Sequence, residues 1–354
     1  MRVGWRQLPF LTCLIFLLAA PTARAALLRV TTWNLEWFPN GSPKDALPEE
    51  QTRRINGAAE VLRRLNPDVL LLQEVRDYDS CARLAEAIAP KTYQIAICSA
   101  FKEPFQKGFG RQQVAILAKY PAQAAWTERW KSMEGVDPPR GFAFAWFKIG
   151  GTDLGVYSVH LKSNLIMRGN KEEETAKNIR KREVATRQLV GHLKSVIATA
   201  IPNVRSTIIG GDFNTNQDQP MFLTEKTFAI LHDAGFQNST AQLPLLQRVT
   251  HPSSGRYPDA TFDYLWVKNG SAGGPRILNS GVSDHYPLTC DIEIPAATPQ
   301  FATTTQPVTL QIPYGQIVLP RGTKLPIVSR KLDTINVRYM GDIYPVAISA
   351  TDLH

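Results

Sequence analysis

The chain has 354 residues, 44% of them hydrophobic and 20% charged, with a net charge of +9. That composition is ordinary for a globular protein and is long enough to bury a large core. The mild basic excess tolerates a polyanionic partner without demanding one, and beyond the N-terminus no stretch is long and apolar enough for a transmembrane helix.

Arg2 and Arg6 precede an apolar run from Leu8 to Ala20, then Pro21 and Ala23-Arg24-Ala25. The run is too short to span a bilayer, and the small residues at 23 and 25 fit a signal peptide over residues 1–25, cleaved after Ala25. A secreted or periplasmic protein is expected. Cys13 follows Thr12 inside the apolar run, which speaks against a lipid anchor. Cleavage removes three arginines and no acids, leaving 329 residues with a charge of +6. Of the remaining cysteines, Cys81 and Cys98 can pair in oxidising surroundings, with Cys290 left as a buried lone thiol. No Cys-x-x-Cys or His-x-x-x-His spacing points to structural zinc.

Leu27 to Trp37 is β-branched and aromatic and reads as a strand, with Val30, Thr32, Asn34 and Glu36 on one face. After a loop rich in Pro and Gly, Glu49 to Leu65 places Ile55, Ala58, Ala59, Leu62 and Leu65 at helical spacing, stopped by Asn66-Pro67. Asp68-Val-Leu-Leu-Leu-Gln-Glu74 is a continuous apolar run ending on a carboxylate, the pattern of a strand buried on both faces. Residues 80–89 read as a short helix, and Tyr93 to Cys98 and Gln113 to Ala118 as strands. Beyond a loop holding Pro138-Pro139-Arg140, Phe142 to Ile149 and Leu154 to Lys162 form a hairpin around Gly150-Gly151, with His160 and Lys162 on one face. Lys171 to Thr199 is a long charged helix with a buried stripe of Leu189, Leu193, Val196 and Ile197.

Thr207 to Thr215 is an apolar strand that ends in two glycines. Asp212 and Asn214 then share a face while Phe213 turns into the core. A helix follows from about Pro220 to Ala234, then the strand Thr261 to Val267 with Asp263 inside it. Ser283-Asp284-His285-Tyr286-Pro287 leads into the strand Leu288 to Ile294. Strands and helices alternate without a fixed repeat, which indicates an α/β layered domain over residues 26–294. Residues 295–307, rich in Ala, Thr, Pro and Gln, read as a linker. Residues 308–354 hold short strands at Ile317 to Leu319, Lys324 to Ser329, Thr334 to Tyr339 and Tyr344 to Ile348, and a small β-barrel is expected.

Polar residues recur where these strands end: Asn34, Glu36, Glu74, His160, Asp212, Asn214, Asp263, Asp284 and His285. Each alone has an ordinary structural reading: Glu74 as a helix cap, His160 as a satisfied strand histidine, Asp263 as a hydrogen-bond acceptor, Asp212 and Asn214 as turn residues. Their order is more specific. Trp33-Asn34-Leu35-Glu36, Gln73-Glu74-Val75, Val159-His160-Leu161, Gly211-Asp212-Phe213-Asn214 and Ser283-Asp284-His285-Tyr286-Pro287 together resemble the endonuclease/exonuclease/phosphatase superfamily. That group includes DNase I-like nucleases, abasic-site endonucleases, bacterial sphingomyelinases and inositol polyphosphate phosphatases. The resemblance implies a four-layer α-β-β-α sandwich of two mixed sheets with the site at one rim. Gly322-Thr-Lys-Leu-Pro-Ile-Val and the terminal Ala350-Thr-Asp-Leu resemble bacterial SH3-like modules.

Phosphodiester hydrolysis needs a positioned water, a proton acceptor, charge stabilisation and help for the leaving oxygen. The resemblance makes Glu74 the chief ligand of Mg²⁺, with Mn²⁺ or Ca²⁺ as alternatives and Glu36 and Asp284 as additional ligands. It makes Asp212 the residue that orients or deprotonates water, with Asn214 and Asn34 donating near the phosphate. His285 contacts the scissile phosphate and Asp263 fixes its tautomer; His160 is the second histidine, and either can be the general acid. Arg140 sits where DNase I-like members carry a phosphate-contacting arginine. Lys162 and Arg111 are weaker candidates.

Inositol phosphatases usually show Gly-Asp-Leu-Asn-Tyr-Arg and Pro-Ala-Trp-Cys-Asp-Arg, where this chain has Gly211-Asp-Phe-Asn-Thr-Asn and Asp259-Ala-Thr-Phe-Asp-Tyr. A secreted, monomeric, metal-dependent phosphodiesterase on nucleic acid, DNA favoured, is therefore expected. A sphingomyelinase-like or other small phosphodiester or phosphomonoester hydrolase stays open; Trp126 and Trp130 can serve a membrane-docking hairpin or pack. A reading of another class is a surface or cell-wall binding protein whose catalytic domain merely carries the SH3-like C-terminal module to its partner.

Overall fold

The computed structural model of the chain describes residues 25–102, 108–255, 257–295 and 301–353. Apart from Ala25, the expected signal peptide lies outside them.

The chain runs through strands β1 (Ala26–Phe38), β2 (Val69–Val75), β3 (Gln94–Cys98), β4 (Gln113–Ala118), β5 (Ala122–Arg129) and β6 (Gly141–Ile149). These are followed by β7 (Thr152–His160), β8 (Ser206–Asp212), β9 (Gln237–Asn238), β10 (Asp263–Lys268), β11 (Ser271–Ile277) and β12 (Leu288–Ile294). Two six-stranded sheets result, ordered β11-β12-β1-β2-β4-β3 and β5-β6-β7-β8-β10-β9. One pair in each sheet is parallel, β1 with β2 and β7 with β8. A parallel pair needs a crossover. Of the helices α1 (Pro48–Leu65), α2 (Tyr78–Ile88) and α3 (Lys171–His192), α1 and α3 supply the two crossovers.

Alternation along each strand decides which layer a side chain reaches. In β2, Val69 and Leu71 join the core between the sheets, and Leu70 and Leu72 join the core beneath α1 and α2. In β8, Ile208 faces between the sheets and Ile209 packs with Ala185 and Leu189 of α3. The layers are therefore helix, sheet, sheet, helix, as expected. The glycines of β8 are packing requirements. A Cβ on Gly210 would stand 2.4 Å from Leu71 Cδ1 of the facing sheet, and one on Gly211 would stand 1.9 Å from Val159 O of the neighbouring strand.

Several elements differ from the sequence reading. The long helix contains a π-helical turn at Leu193–Ile197 before its last turn at Ala198–Ala200. The extra residue rotates the face, so Leu189 and Ile197 stay buried while Val196 is 41% exposed. The helix expected over 220–234 is broken into a 3₁₀ turn, Pro220–Phe222, and a short helix, Thr227–Asp233. Between them Glu225 turns inward to accept from Arg182 Nε at 2.8 Å. Strands β5, β9 and β11 were not foreseen; β11 contains two glycines and a proline, a composition confined to sheet edges.

Cys81 and Cys98 are neighbours but both are free thiols, so the pairing that oxidising surroundings would allow is not formed. The neighbouring Cys98 and complete burial hold the Cys81 thiol well above its usual pKa. Cys290 is buried and free, with its thiol on Gly273 O at 3.1 Å.

The C-terminal part forms β13 (Phe301–Thr303), β14 (Val308–Ile312), β15 (Gly315–Leu319), β16 (Lys324–Arg330), β17 (Thr334–Tyr339) and β18 (Asp342–Ala347). They make a sheet ordered β13-β16-β17-β18 and a β14-β15 hairpin around a core of their own that includes Leu310, Leu325, Ile335 and Val346. Neither sheet closes on itself, so the expected barrel is seen as two small sheets. Strand β13 lies within the stretch read as linker, and residues 296–300 of that stretch lie outside the described residues.

Candidate active site

The ends of both parallel pairs meet at one rim. Across the second sheet His160, Asp212 and Asp263 are direct neighbours, with His160 opposite Asp212 on β7 and β8 and Asp212 opposite Asp263 on β8 and β10. Side chains directly opposite lie within interaction distance. From the first sheet come Asn34 on β1 and Glu74 on β2. The loop before β12 is docked onto them: Ser283 Oγ donates to Asn34 O at 2.7 Å and Trp33 Nε1 to His285 O at 2.9 Å. Below the rim Gln73 Nε2 donates to Ser158 Oγ at 3.1 Å, a buried polar tie between the sheets.

The backbone departs from strand geometry here. Glu36, Trp37, Glu74, Arg140 and Asn214 all have φ between +49° and +64°. Such a conformation costs a non-glycine residue on the order of 1 kcal/mol, and its concentration at one rim marks a constrained site. It also ends the alternation that would have kept Glu36 beside Asn34.

Asp212 is the centre of the arrangement. Its Oδ2 accepts from Asn34 Nδ2 at 3.0 Å and lies 3.5 Å from His160 Nε2 and 3.9 Å from His285 Nε2. Its Oδ1 accepts from the Asn214 backbone at 2.9 Å. Burial pushes the carboxyl up to about 7, with Asp263 adding to the rise and His285 opposing it. Asn214 sends its side-chain amide to Leu161 O at 3.3 Å, so its contact with Asp212 is through the backbone.

The two histidines are held in different states. Burial alone would lower His285, yet Asp263, 2.7 Å from Nδ1, and Asp212 outweigh it and raise the imidazole to about 10. His160 is driven well below its ordinary value by burial and by Arg140, His285 and Lys162. Among the described residues nothing hydrogen-bonds His160 Nδ1, so no carboxylate stands behind it as Asp263 stands behind His285.

Glu74 Oε2 accepts from the Trp37 backbone at 3.0 Å, and its Oε1 accepts from Asn34 at 3.3 Å, 3.7 Å from His160 Nε2. Glu36 is turned toward Arg54, 3.5 Å away. Burial raises the Glu36 carboxyl and the nearby Asp284 and Glu74 charges raise it further, against Arg54. Asp284 and Glu74 are thus near enough to Glu36 for their charges to act on it, which makes this part of the rim anionic. Asp284 itself lies 3.9 Å from His251 Nε2. His251, Asp284 and His285 present donor atoms within 4.8 Å of one another, a closeness that Glu74, Glu36 and Asp284 do not share among the described residues.

Arg140 lies beside the site but is committed to structure: Nε and Nη2 donate to the His160 and Leu161 carbonyls at 3.2 and 2.8 Å. Lys162 lies just past β7, and burial with the Arg140, Lys181 and Arg182 charges lowers it to about 8. Arg111 is spent on a two-pronged pair with Asp45 at 2.7 and 3.0 Å. The sequence reading missed His251 and Thr250, whose hydroxyl accepts from the Asp263 backbone at 3.1 Å. It also missed Asn164, which donates to Asn214 O at 2.8 Å. These three sit in loops without periodicity, and polarity was their only signal.

Three solved structures illustrate the likeness of fold. An endonuclease/exonuclease/phosphatase family protein from Leptotrichia buccalis is 18% identical over 75% of this chain and 100% of its own, with a TM-score of 0.54. One from Bacteroides vulgatus is 15% identical over 76% and 99%, with a TM-score of 0.56. D. rerio TDP2 complexed with single strand DNA product is 15% identical over 75% and 99%, with a TM-score of 0.53. No curated protein matches the chain in sequence. The model of the Endonuclease/Exonuclease/phosphatase family matches residues 31–285, a span that takes in every residue of the rim. The chain belongs to the Endonuclease/Exonuclease/phosphatase family.

Proposed function

We propose that the protein is an exported, divalent-metal-dependent phosphodiesterase that hydrolyses nucleic acid, with DNA as the favoured substrate. The observation that carries this reading is the buried Asp212 carboxylate held between His160, Asn34 and the His285–Asp263 pair. Asp212 takes the proton of the attacking water, a task for which a carboxyl raised toward neutrality is suited. Protonated His285, with Nε2 3.9 Å from the same oxygen, gives a proton or a charged hydrogen bond to the phosphate and its leaving oxygen. Neutral His160 and the Asn34 amide orient Asp212. Glu74, with Glu36 and Asp284, would hold a Mg²⁺-class ion, which supplies charge stabilisation for the phosphoryl oxygens.

An anionic polymer fits the surroundings, because Arg140 and Lys162 lie beside His160 and Lys181 lies near Lys162. The solved TDP2 structure of similar fold holds a single-stranded DNA product. Trp126 and Trp130 pack against Phe144 and Phe142, which leaves the lipid-hydrolase alternative without the docking hairpin they were candidates for. The binding-protein reading has no use for the Asp212 arrangement. The first 25 residues support export. A panel of DNA, RNA, sphingomyelin vesicles and bis(4-nitrophenyl) phosphate with Mg²⁺ tests the reading: cleavage of nucleic acid is expected, and intact DNA and RNA beside phosphocholine release would contradict it.

A further inference from the structure

The fold groups Asp284 with two histidines. One donor atom each from His251, Asp284 and His285 lies within 4.8 Å of the other two. No sequence spacing announces the set, because His251 comes from the loop before β10 and the other two from the loop before β12.

His251 is held in place by backbone and ring alike. Its main chain exchanges two hydrogen bonds with Ala260, each at 2.9 Å, and Tyr286 N donates to the adjoining Thr250 O at 2.7 Å, which ties this loop to the one that carries Asp284. The imidazole packs against Phe262 at a centroid distance of 5.5 Å and edge-on against His285 at 4.8 Å. Its Nε2 then faces Asp284 Oδ2 at 3.9 Å. That is too long for a hydrogen bond and within the span of two metal–ligand bonds of about 2.0–2.1 Å each. Asp284 is half-exposed, so the group opens to solvent.

His285 completes the set. Asp263 holds its Nδ1 at 2.7 Å, which leaves Nε2 to give. A carboxylate behind an imidazole fixes the ring and raises its basicity, the usual support of a metal-binding histidine.

We propose that His251, Asp284 and His285 form a site for a borderline transition-metal ion, Zn²⁺ first among them, separate from the Glu74 side of the rim, and that its occupation inhibits the enzyme. The inhibition rests on the phosphodiesterase reading; the site itself does not. Two imidazoles and one carboxylate are a donor set for zinc that keeps a fourth position open. Mg²⁺ takes oxygen ligands and is poorly served by ring nitrogens. Donor type therefore sorts the ions, the hard one to Glu74 and the softer one to the histidines. A cation on His285 Nε2 displaces the proton there to solvent, so a bound ion and proton donation to the leaving oxygen exclude each other. Asp284 is withdrawn from the catalytic ion at the same time.

Titration of the metal-free chain with Zn²⁺ against a chromophoric chelator reads the site directly, without turnover. Wild type should bind Zn²⁺ more tightly than Mn²⁺. His251→Phe, which keeps an aromatic ring against Phe262, and His251→Gln should each weaken Zn²⁺ by at least about tenfold. Glu74→Gln should leave its affinity near the wild-type value. Zn²⁺ inhibition of Mg²⁺-dependent DNA cleavage, taken as a fraction of each protein's own Zn²⁺-free rate, should need about tenfold more Zn²⁺ in the His251 variants. Absence of Zn²⁺ binding by wild type, an affinity unchanged in the folded His251 variants, or a loss confined to Glu74→Gln would each overturn the site. Zn²⁺ held at His251 with no effect on turnover would overturn the inhibition. If wild type cleaves no DNA, the hydrolase reading falls, and the chelator titration still decides the site.

Discussion

His285 Nδ1 and Asp263 Oδ2 lie 2.7 Å apart in a buried pair, and the carboxylate helps to hold the imidazole protonated up to about pH 10. Removing the charge of Asp263 removes a raising influence, so the His285 pKa must fall. In Asp263→Asn the alkaline limb of the kcat profile should move down toward the ordinary histidine range near 6.5, with turnover at pH 8 reduced on the order of 10²-fold. An alkaline limb that stays in place would separate His285 from acid work.

The Glu74 side chain faces the rim, whereas Glu36 is drawn to Arg54. Glu74→Gln is therefore expected to raise the Mg²⁺ concentration for half-maximal activity by about 10- to 100-fold, with Glu36→Gln doing less. EDTA should abolish turnover, and Mg²⁺ should restore it. Metal titrations of activity and calorimetry check both. Equal effects from the two substitutions would contradict the geometry.

Much of this arrangement was legible in the sequence. Glu74, His160 and Asp212 stand out because each ends a buried strand run, and Asn34 because it follows Leu28 and Val30 on the core face of β1, so a polar side chain there has no place but the rim. What alternation cannot see is where strand geometry fails. The left-handed backbone at Glu36 and Trp37 sends Glu36 to Arg54, and the π-helical turn at Leu193–Ile197 turns Val196 outward. Arg140 read as a phosphate contact, yet its donors satisfy backbone carbonyls, a tertiary fact. His251 comes to Asp284 only once the loop before β10 folds back on Thr250.

Arg182 is fully buried, pairing with Glu225 and donating to Lys162 O and Asn164 Oδ1. Through Asn164 it steadies the Asn214 backbone. Arg182→Ala leaves a buried carboxylate uncompensated and should cost about 3–5 kcal/mol of stability. Urea unfolding measures this, and a loss below 1 kcal/mol would contradict the buried pair. Replacing both Arg182 and Glu225 by methionine should recover most of the loss.

The C-terminal sheets bury Leu310, Leu325, Ile335 and Val346 in a core of their own. A chain ending at Ile294 is predicted to stay folded and to keep its hydrolytic rate on DNA. Circular dichroism and steady-state kinetics of that truncation check it, and loss of soluble fold would show that the two parts are interdependent.

The central claim is that Asp212 acts as the base of a metal-dependent phosphodiesterase. Its burial raises the carboxyl to about 7, and only the deprotonated form can accept a proton, so activity must rise with pH through that value. The most direct measurement is the pH profile of kcat/KM for Mg²⁺-dependent DNA cleavage by wild type and Asp212→Ala. Wild type should show an acid limb near 7, and the variant, folded by circular dichroism, should lose at least about 10³-fold in rate. An unchanged rate in Asp212→Ala would contradict the account.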